Sequence, residues 1–306
     1  MINSYFIEDK KLVTKKGYCK TCQWLNIEGL GEAEISLLRK MGFHELAIED
    51  ILNGRQRMKV EDYKDYLFIS VSTIETGTIS SNFFCFLSQK RIVTVSREGL
   101  RGDNKVVRRC MKNPDYLSRG PDFILYLILD CFTDEYFPLL DSLDENLDAI
   151  EKNIFDNPTE DTAKKILNLK RKVVLFRRNI VGLRDLSLSL RQFEKRFIKE
   201  NNIFYFQNLF DHLLRLSDKT DLMREMVSTT FDGYISVLSN VLNEIMKKLT
   251  SLTVILMVPT LIAGIYGMNF RVIPISQSFM GFYIAVGIML VFMIALFRYF
   301  KNRKWL

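Results

Sequence analysis

Not one aspartate or glutamate occurs in the last 58 residues, Leu249 to Leu306. Histidine is nearly missing from the whole chain; His44 and His212 are the two, and neither has neighbours in sequence that suggest catalysis or ligation. There is no Walker loop and no G-x-G-x-x-G, so direct nucleotide coupling has no support. The five cysteines are few and odd in number, which argues against a disulfide framework. Cys19-Lys-Thr-Cys22 has the spacing of half a zinc site, but no second pair or nearby histidine completes it, and chance spacing or redox-inert thiols is the reading. The N-terminal stretch lacks the apolar core of a signal peptide, so the large N-terminal part is expected to remain cytosolic. The formal charge is +7, yet the last 58 residues supply +5 of it; upstream, 38 basic residues face 36 acidic ones, and nucleic-acid binding has no footprint.

What the acid-free segment does contain is two uncharged apolar runs, Leu249 to Met268 and Phe279 to Phe297, of 20 and 19 residues. A helix needs about 20 residues to cross a hydrocarbon core. Ten residues, Asn269 to Ser278, join the runs, so the pair is expected to form an antiparallel helical hairpin in a lipid bilayer. Lys247 and Lys248 precede the first run; Arg298, Lys301, Arg303 and Lys304 follow the second, while the connection holds Arg271 alone. The positive-inside rule places both chain ends in the cytoplasm.

Upstream, residues 1 to about 120 read as an α/β domain. Tyr66 to Ser72 reads as a strand, and Phe83 to Leu87 with Arg91 to Val95 as a hairpin. Glu32 to Met41 and Glu45 to Leu52 read as short helices, with Gly77 to Asn82 and Gly99 to Asn104 as turn material. From about Asp122 the pattern turns helical. An acidic helix runs from Asp134 to Glu151; Asn157, Pro158 and Glu160 then predict a capped start for a basic helix that carries charges from Lys164 to Arg196. Acidic against basic is self-complementary, read first as a solvated hairpin laced with ion pairs worth little individually, and second as charged faces that couple neighbouring subunits or respond to divalent cations. A third helix starts near Asn202 and, if continuous to Met268, has 67 residues, roughly 100 Å at 1.5 Å per residue. So long a rod needs tertiary support, so several are expected to bundle together.

At a 3.5-residue period Asn243, Met246, Thr250, Thr253, Met257, Thr260, Gly264 and Gly267 fall on or near one face of the first run. That face is small, polar or flexible. Helix packing accounts for small residues and threonine; the asparagines at both ends, Asn243 and Asn269, favour a water-lined face. One hairpin cannot enclose an aqueous path, so a channel would need a ring of subunits.

Ser239 to Thr250 followed by Ile262-Ala-Gly-Ile-Tyr-Gly-Met-Asn-Phe270 resembles the CorA family of divalent-cation channels, for which Gly-Met-Asn at this position is the signature. Trp24 to Leu30, His44 to Ile51, Lys59 to Phe68, Tyr136 to Leu140 and Tyr205 to Leu214 extend the resemblance over nearly the whole chain. The resemblance implies a cytoplasmic α/β domain (residues 1–120), a helical hairpin and stalk helix (121–248) and a two-helix transmembrane domain with a basic tail (249–306). It implies a homopentameric funnel in the cell's cytoplasmic membrane, with the first span around the pore and the second facing lipid. Gly267, Met268 and Asn269 would form the selectivity filter, where a ring of neutral carboxamide oxygens meets a hydrated ion without stripping it. Asn243 would add a second oxygen ring, and Met246, Leu249 and Met257 hydrophobic constrictions that gate by dewetting. Mg²⁺ is expected as cargo, with Co²⁺ and Ni²⁺ beside it, and as a regulatory ion; no enzymatic activity is expected.

The chain departs from the family in two places. The outer connection has no carboxylate, where many relatives have acids, and carries Arg271. Where relatives place an aspartate for regulatory metal, this chain has Asn208, with Asp211 three residues on as a substitute or an ordinary surface acid. The tail residues Lys301, Arg303 and Lys304 are read as topology and anchoring signals, with Trp305 at the headgroups. Zinc transport of the ZntB-like type, and a membrane-tethered scaffold or enzyme, are the alternatives.

Overall fold

The computed structural model describes residues 1–306 except 9–10, 55–56, 76–77, 97–100, 157, 194–195 and 269–278. Seven strands come first: β1 (Ile2–Glu8), β2 (Lys11–Lys16), β3 (Trp24–Glu28), β4 (Lys59–Asp62), β5 (Leu67–Glu75), β6 (Thr78–Leu87) and β7 (Ile92–Ser96). They form one sheet in the order β2-β1-β3-β7-β6-β5-β4, antiparallel throughout except for the parallel pair β3–β7. Two short helices, α1 (Glu32–Lys40) and α2 (Glu45–Asn53), stand between β3 and β4 in sequence. His44 caps α2: its Nδ1 accepts the Leu46 N–H at 3.2 Å.

Strand alternation sends side chains to two buried faces. Leu25, Ile27, Phe68, Phe84, Phe86, Val93 and Val95 join Leu38 of α1 and Ala47, Ile48 and Ile51 of α2 in one core cluster. Trp24, Leu67, Ile69, Phe83, Cys85, Leu87 and Ile92 are buried on the opposite face. There α3 (Arg101–Lys112), α4 (Asp115–Arg119) and α5 (Pro121–Asp134) pack on the sheet, with Phe83 edge-on to Phe132 at 5.4 Å. Pro121 to Thr133 are all buried, the two aspartates among them, Asp122 and Asp130, being hydrogen-bonded.

The chain continues as α6 (Tyr136–Asp156), α7 (Glu160–Leu190), a 64-residue α8 (Ile203–Tyr266) and α9 (Gly281–Asn302). Four readings from the sequence are corrected. Thr78 to Asn82 belong to β6 rather than to a turn, and Arg101 to Asn104 form the first turn of α3. The acidic run is split, since Asp134 ends α5 and α6 begins at Tyr136. The basic helix begins at Glu160, two residues after Pro158, and closes at Leu190, so Arg191 and Arg196 lie beyond it; the expected cap Asn157 is outside the described residues.

Two compact units divide the chain: Met1–Lys152 with Asp161–Thr230, and Asn153–Glu160 with Phe231–Leu306. In the first, Arg177 of α7 pairs with Asp221 of α8, Lys219 of α8 with Asp141 of α6 at 2.5 Å, and Arg109 of α3 with Asp130 and Asp134 at 2.7 and 2.8 Å. The start of α8 is locked there by buried Asp122, which accepts the Lys199 N–H at 2.9 Å and the Asn202 amide at 2.7 Å.

Candidate functional site

In the second unit, the part of α8 from Phe231 onward and α9 expose most of their apolar side chains. Both helices are long and apolar enough to cross a membrane, and 11% of the most apolar stretch of each is buried. The buried residues are few: Tyr234, Ser251 and Ile255 on this part of α8, and Gly281, Ala285 and Phe300 on α9. The exposed apolar side chains of this part of α8 and of α9 need lipid or another chain to leave water.

The exposed side of α8 carries two rows at seven-residue spacing. Ser239, Met246, Thr253 and Thr260, with Gly267 just past the helix end, form one; Ile235, Leu242, Leu249, Leu256 and Ala263 form the other, and all ten are exposed. Alternating steps of three and four residues between these rows are the pattern by which helices supercoil about one another. Of the residues singled out from the sequence, Asn243, Met246, Leu249, Thr250, Thr253, Met257, Thr260, Gly264, Gly267 and Met268 are all exposed. Thr253, Met257, Thr260, Gly264 and Met268 share a groove of about 750 Å³, whose other walls are Leu256, Leu261 and Ile265. Sequence reasoning missed those three; counting heptads from Ile235 through Leu242 and Leu249 finds Leu256.

The groove is uncharged, and its polar atoms are posed. Thr253 Oγ1 donates to the Leu249 carbonyl and Thr260 Oγ1 to the Leu256 carbonyl, each at 2.8 Å. With the protons turned into the helix, the hydroxyl oxygens offer lone pairs outward. Such back-bonds also bend helices, as does Pro259, which denies the Ile255 carbonyl its intrahelical partner. A Cβ built on Gly264 meets nothing within 4 Å, so no neighbour in the chain requires glycine there. At Gly267 a Cβ would stand 3.2 Å from the Ala263 carbonyl, which accepts the Gly267 N–H at 2.9 Å as the helix ends. Asn269 and Arg271 lie outside the described residues.

Asn208 and Asp211 are both exposed, one turn apart on the first unit's part of α8. Among the described residues, no three His, Cys, Asp or Glu side chains are grouped to hold a metal ion. Lys301, Arg303 and Lys304 are exposed around the end of α9. There the Trp305 N–H bonds to the Phe300 carbonyl at 3.0 Å and the Lys304 N–H to the Lys301 carbonyl at 3.1 Å, with Lys304 left-handed at φ 57°. This is a Schellman closure, completed by the Trp305 ring stacked on Phe300 at 5.6 Å.

Comparison with known proteins reaches nearly every residue of this arrangement. The family model described as CorA-like Mg2+ transporter protein matches residues 20–302. The chain is 32% identical to the cobalt/magnesium transport protein CorA of Thermotoga maritima, over 94% of this chain and 84% of that one. It is also 32% identical to the putative metal ion transporter YfjQ of Bacillus subtilis, over 92% and 89% of the two chains. The solved structure of the CorA magnesium transporter from Methanocaldococcus jannaschii superposes with a TM-score of 0.86 at 22% identity, covering 100% of this chain and 98% of that one.

Proposed function

The chain belongs to the CorA-like Mg2+ transporter family, and from that membership and the exposed groove of α8 we propose that it is a membrane channel for divalent cations, with Mg²⁺ as cargo and Co²⁺ carried beside it. The observation that carries this reading is the groove itself: a neutral, threonine-bearing face left uncovered on an apolar helix. A single such helix encloses nothing, so copies of the chain assemble about a common axis with α8 innermost. The two heptad rows supply the seam, and the stripe of Ser251 and Ile255 stays with the chain's own hairpin. The resemblance to the family supports five copies.

Mg²⁺ holds its first water shell tightly and prefers oxygen partners. Threonine oxygens with their protons turned away accept hydrogen bonds from that shell, so the ion passes hydrated. Asn269 forms a carboxamide ring at the outer mouth; Gly267, without a side chain, lets the chain turn there. Asn243 forms a further ring inward, and Met246, Leu249 and Met257 narrow the path with apolar surface that closes by dewetting. No nucleotide is needed, because a membrane potential supplies about 2.3 kcal/mol per charge per 100 mV, doubled for a divalent ion. The charge flanks, Lys247 and Lys248 before the first span and Lys301, Arg303 and Lys304 after the second, favour cytoplasmic chain ends in the cell membrane. A regulatory Mg²⁺ at Asn208 and Asp211 draws its remaining ligands from a neighbouring copy.

The test is flux into proteoliposomes under an inside-negative potassium diffusion potential, comparing Mg²⁺, Co²⁺ and Zn²⁺. Uptake of Mg²⁺ and Co²⁺ that scales with the potential is expected. Zn²⁺ uptake without Mg²⁺ uptake would transfer the chain to the zinc-transport reading.

A further inference from the structure

Far from the membrane helices, the loop from Gly17 to Gln23 is stitched down on three sides. The Ser4 hydroxyl donates to the Gly17 carbonyl at 2.6 Å and accepts the Cys19 N–H at 3.1 Å. The Gly17 N–H bonds to the Ile2 carbonyl at 2.8 Å and the Gln23 N–H to the Tyr5 carbonyl at 3.2 Å. From the opposite side, Arg91 donates to the Lys20 carbonyl and lies over the Tyr18 ring, 5.9 Å from its centroid. Within this clamp the Cys22 N–H points to the Cys19 carbonyl at 3.5 Å, which closes a four-residue turn with a cysteine at each end. Such a turn brings its end Cα atoms within about 7 Å, and disulfides span Cα separations of about 4.4–6.8 Å.

The two thiols are unequal. Cys19 is half-buried, and its Sγ is 3.3 Å from the Thr21 hydroxyl, whereas Cys22 is 2% exposed. The Thr21 hydroxyl and backbone, then the charge of Lys15, hold the Cys19 thiol below its ordinary value. Burial pushes the Cys22 thiol up, opposed by the Ser4 hydroxyl and Arg91; Cys19 raises it further, so the two sulfurs feel each other electrostatically. An accessible thiolate-prone sulfur beside a buried protonated one is the division of labour that thiol–disulfide exchange requires.

We propose that Cys19 and Cys22 are a redox-active dithiol that closes to an intramolecular disulfide by exchange with a small disulfide such as oxidised glutathione. The Cys19 thiolate attacks one sulfur of the small disulfide, whose S–S bond breaks and releases a thiolate. That thiolate takes the Cys22 proton, and the Cys22 sulfur attacks Cys19, breaking the mixed disulfide and releasing the second thiolate, which takes up the proton that Cys19 had given to solvent. Two protein thiols are oxidised and one small disulfide is reduced to two thiols. The other cysteines do not compete: Cys85, Cys110 and Cys131 are buried, and burial raises Cys110 to about 12 and Cys131 to about 11.

The full-length protein in detergent, equilibrated across ratios of reduced to oxidised glutathione, alkylated and weighed by intact mass spectrometry, tests this. The expected product at the oxidising end has lost two hydrogens, resists alkylation at both positions and yields a peptide cross-linked between Cys19 and Cys22. Cys22→Ser should stop at the first stage, with glutathione held on Cys19. Wild-type protein that accumulates the mixed disulfide without closing, or that keeps both thiols open to alkylation throughout, would overturn the proposal.

Discussion

Thr253 and Thr260, seven residues apart on α8, hold their hydroxyls in the same posture, each donating to the carbonyl four residues back at 2.8 Å. Their oxygens face one groove. Thr260→Val keeps the shape and removes the oxygen. Mg²⁺ flux in proteoliposomes is expected to fall by roughly tenfold, the equivalent of about 1.4 kcal/mol for the lost dipoles. Thr260→Ser should stay within about twofold, since it preserves the acceptor.

Gly264 separates folding from conduction. Nothing in the chain lies within 4 Å of a Cβ at this position. Gly264→Leu should therefore leave the midpoint of thermal unfolding unchanged or slightly higher, because leucine is the better helix former by about 0.8 kcal/mol. Flux should drop to background, since the added side chain enters the groove. A variant that folds and conducts normally would place the path elsewhere.

Asn269→Ala should abolish Mg²⁺ uptake while size-exclusion profiles and cross-linking patterns stay those of the wild type. Mg²⁺ transport by this variant at the wild-type rate would end the carboxamide-ring reading.

Gly120 tests the junction on which α8 is mounted. Its φ is +131°, and a Cβ would stand 2.6 Å from Lys199 Nζ and 2.7 Å from Asp122 Oδ1. Gly120→Ala should destabilise the protein by about 2–4 kcal/mol through strain and the displaced Asp122 contacts. Chemical denaturation followed by far-UV circular dichroism reads this loss.

Much of this architecture was legible from periodicity. The runs at Phe83–Leu87 and Arg91–Val95 pair as β6 and β7, and the uninterrupted pattern from Asn202 onward is α8. Periodicity works there because each stretch buries one repeating face or stripe. It failed at Thr78–Asn82 and Arg101–Asn104, where residue types read as turn material extend a strand and start a helix. In the candidate site, the small and polar members of the groove stood out by residue type, while Leu256, Leu261 and Ile265 did not. A leucine facing a groove and a leucine facing lipid are chemically the same residue, and the three-dimensional lining is needed to tell them apart. The pairing of Trp305 with Phe300 was equally hidden, because the left-handed turn at Lys304 carries no glycine to announce it.

Whether the groove of α8 faces the ion path is tested most directly by substituted-cysteine block in a Cys19→Ser background. Thr260→Cys is placed in the groove, and Val291→Cys on α9, away from the groove lining, where valine is 67% exposed. Each protein, in proteoliposomes, is treated with a charged thiol-reactive reagent during potential-driven Mg²⁺ flux. The account predicts that flux through the Thr260→Cys protein stops and is restored by a reductant, while the Val291→Cys protein is unaffected. Block at Val291→Cys with free passage at Thr260→Cys would contradict it.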